Sequence, residues 1–230
     1  MIFLPDQNDL EAIFLTLKLS GISTIILLVI SLPLAWWMSL KRSMLRSILE
    51  PLFCLPVILP PSVLGFYLLS SFGTHGIIGR FISLFGGQTL AFSFTGLIFG
   101  SVLYSLPFVI QPLQNSIESV DPQLIETGSL LGLSPVKNFL FVTIPMIKNG
   151  IITSFIMGFA HTMGEFGVVL MIGGNIPGET RVISIAIYDH VEAMSLDKAH
   201  NLSLIMLIFS FLVLIFISVL NKGNLRGKVR

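Results

Sequence analysis

Residues 19–40 read Leu19-Ser-Gly-Ile-Ser-Thr-Ile-Ile-Leu-Leu-Val-Ile-Ser-Leu-Pro-Leu-Ala-Trp-Trp-Met-Ser-Leu40, without a single Lys, Arg, Asp or Glu. A helix needs roughly 20 consecutive apolar residues to cross the hydrocarbon core of a bilayer. This stretch meets that length, and it is one of several. Pro51–Thr74, Phe81–Ile117 and Ala199–Asn221 are also free of the four charged residue types, and Asn149–Glu179 is interrupted internally only by Glu165. They predict five spans, near residues 12–40, 48–71, 91–111, 149–172 and 202–220, after a short outer segment at 1–11. A long loop over 112–148 and a basic tail over 221–230 complete the division.

Composition agrees. The 230 residues are 53% hydrophobic and only 11% charged, with a mean hydropathy of +0.91. Soluble domains carry about a quarter charged residues, so this chain cannot cover itself with polar groups in water. A soluble enzyme, a nucleic-acid binder and a disordered chain all fit poorly, and an all-α, polytopic transmembrane helix bundle fits well. The net charge of +1 gives no basic field for nucleic acid. The one cysteine, Cys54, excludes an internal disulfide and reads as a small packing residue. The leader Met1-Ile-Phe-Leu-Pro-Asp6 lacks a positive n-region, so the first span is expected to remain as an anchor.

Five spans put the termini on opposite sides. One side then holds nine Lys and Arg (Lys41, Arg42, Arg46, Lys137, Lys148, Lys222, Arg226, Lys228, Arg230) and the other four (Lys18, Arg80, Arg181, Lys198). The richer side is expected to be cytoplasmic, which places the N-terminus outside, the tail inside and the loop 112–148 inside. Two outer loops follow, glycine-rich Phe72–Leu90 and Gly173–Asn201.

The inner loop is the most informative part. Asp121-Pro122 reads as a helix N-cap followed by proline at the first helical position. Gly132 reads as its stop. Ser134-Pro135 starts a second short helix, expected to end near Ile144-Pro145 because proline disfavours helix at the residue before it. Leu124, Ile125, Leu130, Leu131 and Leu133 supply more apolar surface than a solvated loop needs. Either a partner covers it or the loop packs on the chain's own spans.

Three further features carry candidate roles. Pro56, Pro60 and Pro61 lie inside the second span, where each removes a backbone donor. Such backbone is tolerated in lipid when protein or a wet cavity satisfies it, so the segment is a kinked helix lining a path or a kink buried between neighbours. Glu165 is the acidic residue well inside a span. By default such a group faces a cavity or a partner, and His161, one turn earlier, is within reach of it. An outer gate and an outer-end carboxylate reaching interfacial water are the two readings. Arg181 is a candidate for attracting an oxyanion, or for an ion pair with Glu179 or a binding protein. Gly96-Leu-Ile-Phe-Gly100 matches a helix-packing pattern.

No Gly-x4-Gly-Lys-Ser/Thr loop is present. Gly223-Asn-Leu-Arg-Gly-Lys-Val229 has the wrong spacing and no hydroxyl for Mg²⁺. The chain itself is therefore expected not to hydrolyse ATP and to carry no cofactor. His161-Thr-Met-Gly-Glu165 offers two ligands and no third, so no metal site is expected, and no catalytic residues are found.

Glu126-Thr-Gly-Ser-Leu-Leu-Gly132 with Val142-Thr-Ile-Pro145 resembles the EAA…G…P loop of ABC-importer permeases. Glu126, Gly132 and Pro145 fall on the pattern, while Thr127 and Gly128 replace its alanine pair. Leu55-Pro-Val-Ile-Leu-Pro-Pro-Ser-Val-Leu-Gly65, Gly164-Glu-Phe-Gly167 and Gly174-Asn-Ile-Pro-Gly-Glu-Thr-Arg181 look like the second span, fourth span and outer loop of molybdate permeases. The resemblance implies the type I ABC importer permease fold in the inner membrane. It implies a homodimer of ten spans, with two cytoplasmic ATP-binding subunits that bind ATP and Mg and dock on the loop. A periplasmic or externally tethered molybdate-binding protein would deliver substrate for alternating access. Sulfate, thiosulfate or tungstate import is the alternative within the class. An ion-coupled secondary transporter is the alternative outside it; repeated halves and several intramembrane ionisable groups would mark one.

Overall fold

The computed structural model describes residues 6–40, 44–87 and 89–227, and among them every regular element is helical. Lys41, Arg42, Lys228 and Arg230, which enter the charge count, lie outside the described residues. Three helices are long and apolar enough to cross a membrane by length and composition: α1 (Gln7–Leu40), α5 (Phe94–Glu118) and Leu196–Val219 of α12 (Leu196–Gly227). Two bent pairs, Arg46–Ile58 with Pro61–Leu84 at 108° and Pro135–Met146 with Lys148–Met163 at 75°, would bring the number to five if each were one span.

The second expected span is broken, not merely kinked. It divides into α2 (Met44–Ile58) and α3 (Pro61–Phe72). Pro60 sits between them at φ −55°, ψ 135°, the extended geometry that a residue preceding proline prefers. Two successive prolines also remove two ladder donors. The fourth expected span is likewise two helices, α9 (Lys148–Met163) and α10 (Gly167–Gly173). The break falls on Gly164-Glu165-Phe166, with Phe166 at φ −130°, ψ −65°. The third helix runs to Glu118, beyond the expected end near 111 and through Pro107 and Pro112. Burial of Leu113 and Ile117 in the core holds that inner extension.

The two loops expected outside also contain helix. The first carries α4 (Ile77–Leu84) and the second α11 (Ile183–Glu192). Ile183, Ile185 and Ala186 of α11 are buried in the core, so this element is part of the bundle.

α1 packs against α5, α9 and α11. Its buried residues recur at helical spacing (Ala12, Leu15, Leu19, Ser23, Leu27, Ser31, Ala35, Met38), and the stripe is small or polar at its centre. Small residues let backbones approach where lipid gives no hydrophobic drive to association. Ser20, Ser23, Thr24 and Ser31 of α1 and Ser154 of α9 are fully buried, with hydroxyls that meet no hydrogen-bond partner among the described residues.

Candidate functional site

The inner loop folds as two short helices around a glycine turn. Asp121 Oδ1 accepts from Gln123 N–H at 2.9 Å and caps α6 (Pro122–Leu130). At the other end Leu133 N–H donates to Gly128 O at 3.1 Å and Gly132 N–H to Ser129 O at 3.0 Å. This is the Schellman pair, which needs a left-handed residue. Gly132 supplies it at φ +84°. Ser134 then caps α7 (Pro135–Asn138).

Beyond α7 the chain differs from the expected end at Ile144-Pro145. It passes through a π-helical turn (Phe139–Thr143) into α8 (Ile144–Met146), and the corner falls at Ile147. Ile144 N–H donates five residues back to Phe139 O. A wider turn accommodates a proline whose ring would crowd the carbonyl four residues earlier.

The loop remains uncovered on one side. Glu126 and Thr127 are exposed, Leu130 and Leu131 are more than three-quarters exposed, and Gly128 is buried. Beneath α6 lies a cavity of about 690 Å³ lined in part by Trp36, Arg46, Glu118, Glu126 and Asn138. Arg46 bridges to Glu118 at 2.6 Å and to Glu50 at 3.6 Å, tying α2 to the inner end of α5.

A second assembly forms where the two broken spans meet. Gly167 packs on Pro61 and Gly65 on Met171, so closely that a β-carbon on either glycine would lie under 3 Å from its neighbour. The structure therefore joins Pro61 to the Glu165 segment, while Pro56 lies in the body of α2. Glu165 is 3% exposed. Its carboxylate accepts from Ser101 Oγ at 2.5 Å and Ser105 Oγ at 2.6 Å, and its backbone carbonyl accepts from Ser184 Oγ at 2.5 Å. His161 Nδ1 stands 3.7 Å from the carboxylate, beyond hydrogen-bond reach. It is linked through Ser105, 2.9 Å away, and stacks on Phe108 at 3.7 Å. The site is a clasp holding α5, α11 and the α9–α10 break together. Its three serines are residues that sequence reasoning missed. Ser101 and Ser105, one turn apart on the face that includes Gly100, were the available signal. Gly100 packs on Ile172, as the small-residue pattern suggested.

Arg181 pairs with Asp189 of α11 at 2.9 Å, not with Glu179. Asn175 donates to the same carboxylate at 2.8 and 2.9 Å. Nearby, His190 meets Asp9 at 2.8 Å and Lys198 meets Asp6 at 2.9 Å. The Lys198 hydrogen bond holds the Asp6 carboxyl below the usual carboxylate range. Cys54 is half-buried, its Sγ accepting from Gln111 Nε2 at 2.9 Å.

Known proteins share this arrangement. Residues 20–230 match the family described as binding-protein-dependent transport system inner membrane component. The chain is 51% identical over 208 residues to the molybdenum transport system permease protein ModB of Azotobacter vinelandii, covering 90% of this chain and 92% of that one. It is 32% identical over 182 residues to the ModB of Escherichia coli strain K12, covering 79% and 80%. Among solved structures, a chain of a bacterial alginate ABC transporter in complex with an alginate pentasaccharide-bound periplasmic protein superposes with a TM-score of 0.75 at 19% identity, covering 92% of this chain and 77% of that one. With the family match spanning nearly the whole chain and the fold shared with an ABC transporter, the protein belongs to the binding-protein-dependent transport system inner membrane components.

Proposed function

We propose that the chain is the permease subunit of an ABC importer that carries molybdate across the inner membrane. The observation that carries this reading is the 51% identity to the Azotobacter molybdenum permease over nine-tenths of both chains. The capped loop at α6 is the physical counterpart, an elbow with an uncovered apolar tip at Leu130 and Leu131. Two copies of the chain would form the path. Two separate cytoplasmic subunits would bind ATP and Mg and dock on the loop around Glu126, Thr127, Gly128, Gly132 and Pro145. An external binding protein would deliver the oxyanion, as a periplasmic protein accompanies the alginate relative. ATP-driven closure of the partner dimer would move the elbows and swing the spans between inward and outward openings.

The N-terminus is proposed to lie outside. Support comes from the Lys and Arg count, nine on the side of the loop 112–148 against four on the other. The joined breaks at Pro60-Pro61 and Glu165 are proposed as the moving wall of the path. Arg181, already paired, would act at the mouth by orienting α11.

Reconstitution tests the reading. Liposomes holding the chain, its ATP-binding partner and a molybdate-loaded binding protein should accumulate molybdate only with ATP. Accumulation by the lone chain under an ion gradient would overturn it in favour of a secondary transporter. Uptake outcompeted by sulfate at equal concentration would overturn the substrate assignment.

A further inference from the structure

The loop departs from its family pattern at Gly128, where alanine is usual, and the structure shows what occupies the space. An ideal β-carbon on Gly128 would lie 2.8 Å from Asn138 Oδ1, 3.0 Å from Nδ2 and 3.1 Å from Cγ. The Asn138 side chain lies flat on the bare backbone of α6. It is 3% exposed. Its Nδ2 donates to Ile125 O at 2.6 Å and to Ser129 Oγ at 3.2 Å, three residues before and one residue after Gly128. Its Oδ1 is buried and meets no donor. The amide is thus committed to α6 through its NH₂ group alone, and a methyl at 128 would displace it.

Asn138 is followed directly by the first residue of the π turn. Phe139 is 7% exposed and stacks on Trp36 of α1, with ring centroids 4.5 Å apart and planes at 19°. A continuous chain of packed groups therefore runs from α6 through Asn138 and Phe139 to Trp36 near the inner end of α1. Short elements such as α7, with four residues, have little stiffness of their own, so rigidity at this corner depends on such cross-links.

We propose that Asn138 is the positioning residue that makes α6 and the π turn move as one body, with Gly128 required to seat it, and that this body hands its displacement to α1 through Phe139 and Trp36. The inference rests on the reading of the loop as the docking site of an ATP-binding subunit. It adds the identity of the side chain that transmits the movement.

The test uses the reconstituted complex and reads two quantities, ATP hydrolysed and molybdate imported, at matched abundance of the subunits. Gly128→Ala should lower the import per ATP several-fold, although alanine is the better helix former. Asn138→Ala should lower the same ratio. In the double variant the clash is gone and the hydrogen bonds are already lost, so its ratio should match that of Asn138→Ala, with no further loss. Asn138→Ser in the Gly128→Ala background, a shorter donor that leaves room for the methyl, should recover part of the ratio. A defect of folding alone would reduce abundance and both rates together, leaving the ratio unmoved, and would overturn the proposal. So would a wild-type ratio in Gly128→Ala, or losses that multiply in the double variant. If the wild-type complex itself shows no hydrolysis stimulated by the loaded binding protein, the underlying reading fails, separately from the clamp.

Discussion

Gly167 is seated on Pro61: a β-carbon on the glycine would stand 2.8 Å from the Cβ of the proline. Two helix breaks, one made by prolines and one by glycines, thus interlock at a single point. Neither residue has room for its neighbour to grow.

Overpacking that point should destabilise. Gly167→Leu is expected to cost about 1–3 kcal/mol, the usual penalty for added methylenes in a filled site. Gly21→Ala is the counter-case, since nothing lies within 4 Å of its β-position on α1. It should stabilise by about 0.5–1 kcal/mol through helix propensity. Thermal unfolding of the purified complex in detergent reads both, and equal shifts in one direction would contradict the packing described.

At Glu165 the acceptor matters more than the charge. Glu165→Gln keeps an oxygen for one serine and an amide that the other hydroxyl can accept from, so it should be mild. Glu165→Ala leaves the Ser101 hydroxyl without its acceptor, at about 1–3 kcal/mol, while Ser105 keeps His161 and Thr162 as partners at 2.9 Å. A melting point for alanine no lower than for glutamine would show that the clasp does not hold the break.

Gly132→Leu should insert normally yet fail to transport. The turn needs φ +84°, which a β-carbon resists, even though the space around the position is open. The strain is backbone strain, and no rearrangement of neighbours relieves it. Uptake assays with immunoblotted membranes check this; normal uptake at normal abundance would remove Gly132 from the coupling turn.

The Asp6–Lys198 pair makes a small, pH-dependent contribution. Lowering of the Asp6 pKa in the folded state means that its stabilisation is present above the ordinary carboxylate value. It is lost as the pH falls through the folded value. Both side chains are more than 40% exposed, so screening by solvent keeps the effect small. Asp6→Asn should lower the melting point slightly at pH 7 and converge with wild type once the pH has fallen through the lowered carboxyl value. A difference that grows in acid would contradict the assignment.

What the sequence disclosed, and what it withheld, follows from range. Asp121-Pro122, Gly132 and Ser134-Pro135 act within five residues, by capping and backbone rules, and each was readable. The charge-free runs were readable as long apolar stretches, the composition that a membrane helix needs. The clasp was not readable, because Ser101, Ser105 and Ser184 lie far from Glu165 in the chain and serine is ordinary in apolar helices. The seat of Asn138 on Gly128 was hidden behind what looked like a weakened helix. The prolines announced a bend at residue 60, but its 108° angle is set by packing on α10, which no local rule supplies.

The fully buried hydroxyls along α1 have a mechanical consequence. The Ser20, Ser23, Thr24 and Ser31 hydroxyls make no hydrogen bond among the described residues. A helix tied by directed bonds shifts only by breaking them, whereas one held by dispersion between small side chains meets a shallow, nearly level landscape. α1 is pinned at one end by Asp6, Asp9 and Thr16, whose Oγ1 accepts from Ile183 N–H at 2.8 Å, and at the other by Trp36, and the stretch with the unbonded hydroxyls lies between them. Its twist is governed by those two pins, and a single interhelical hydrogen bond engineered at Ser23 would act as a brake.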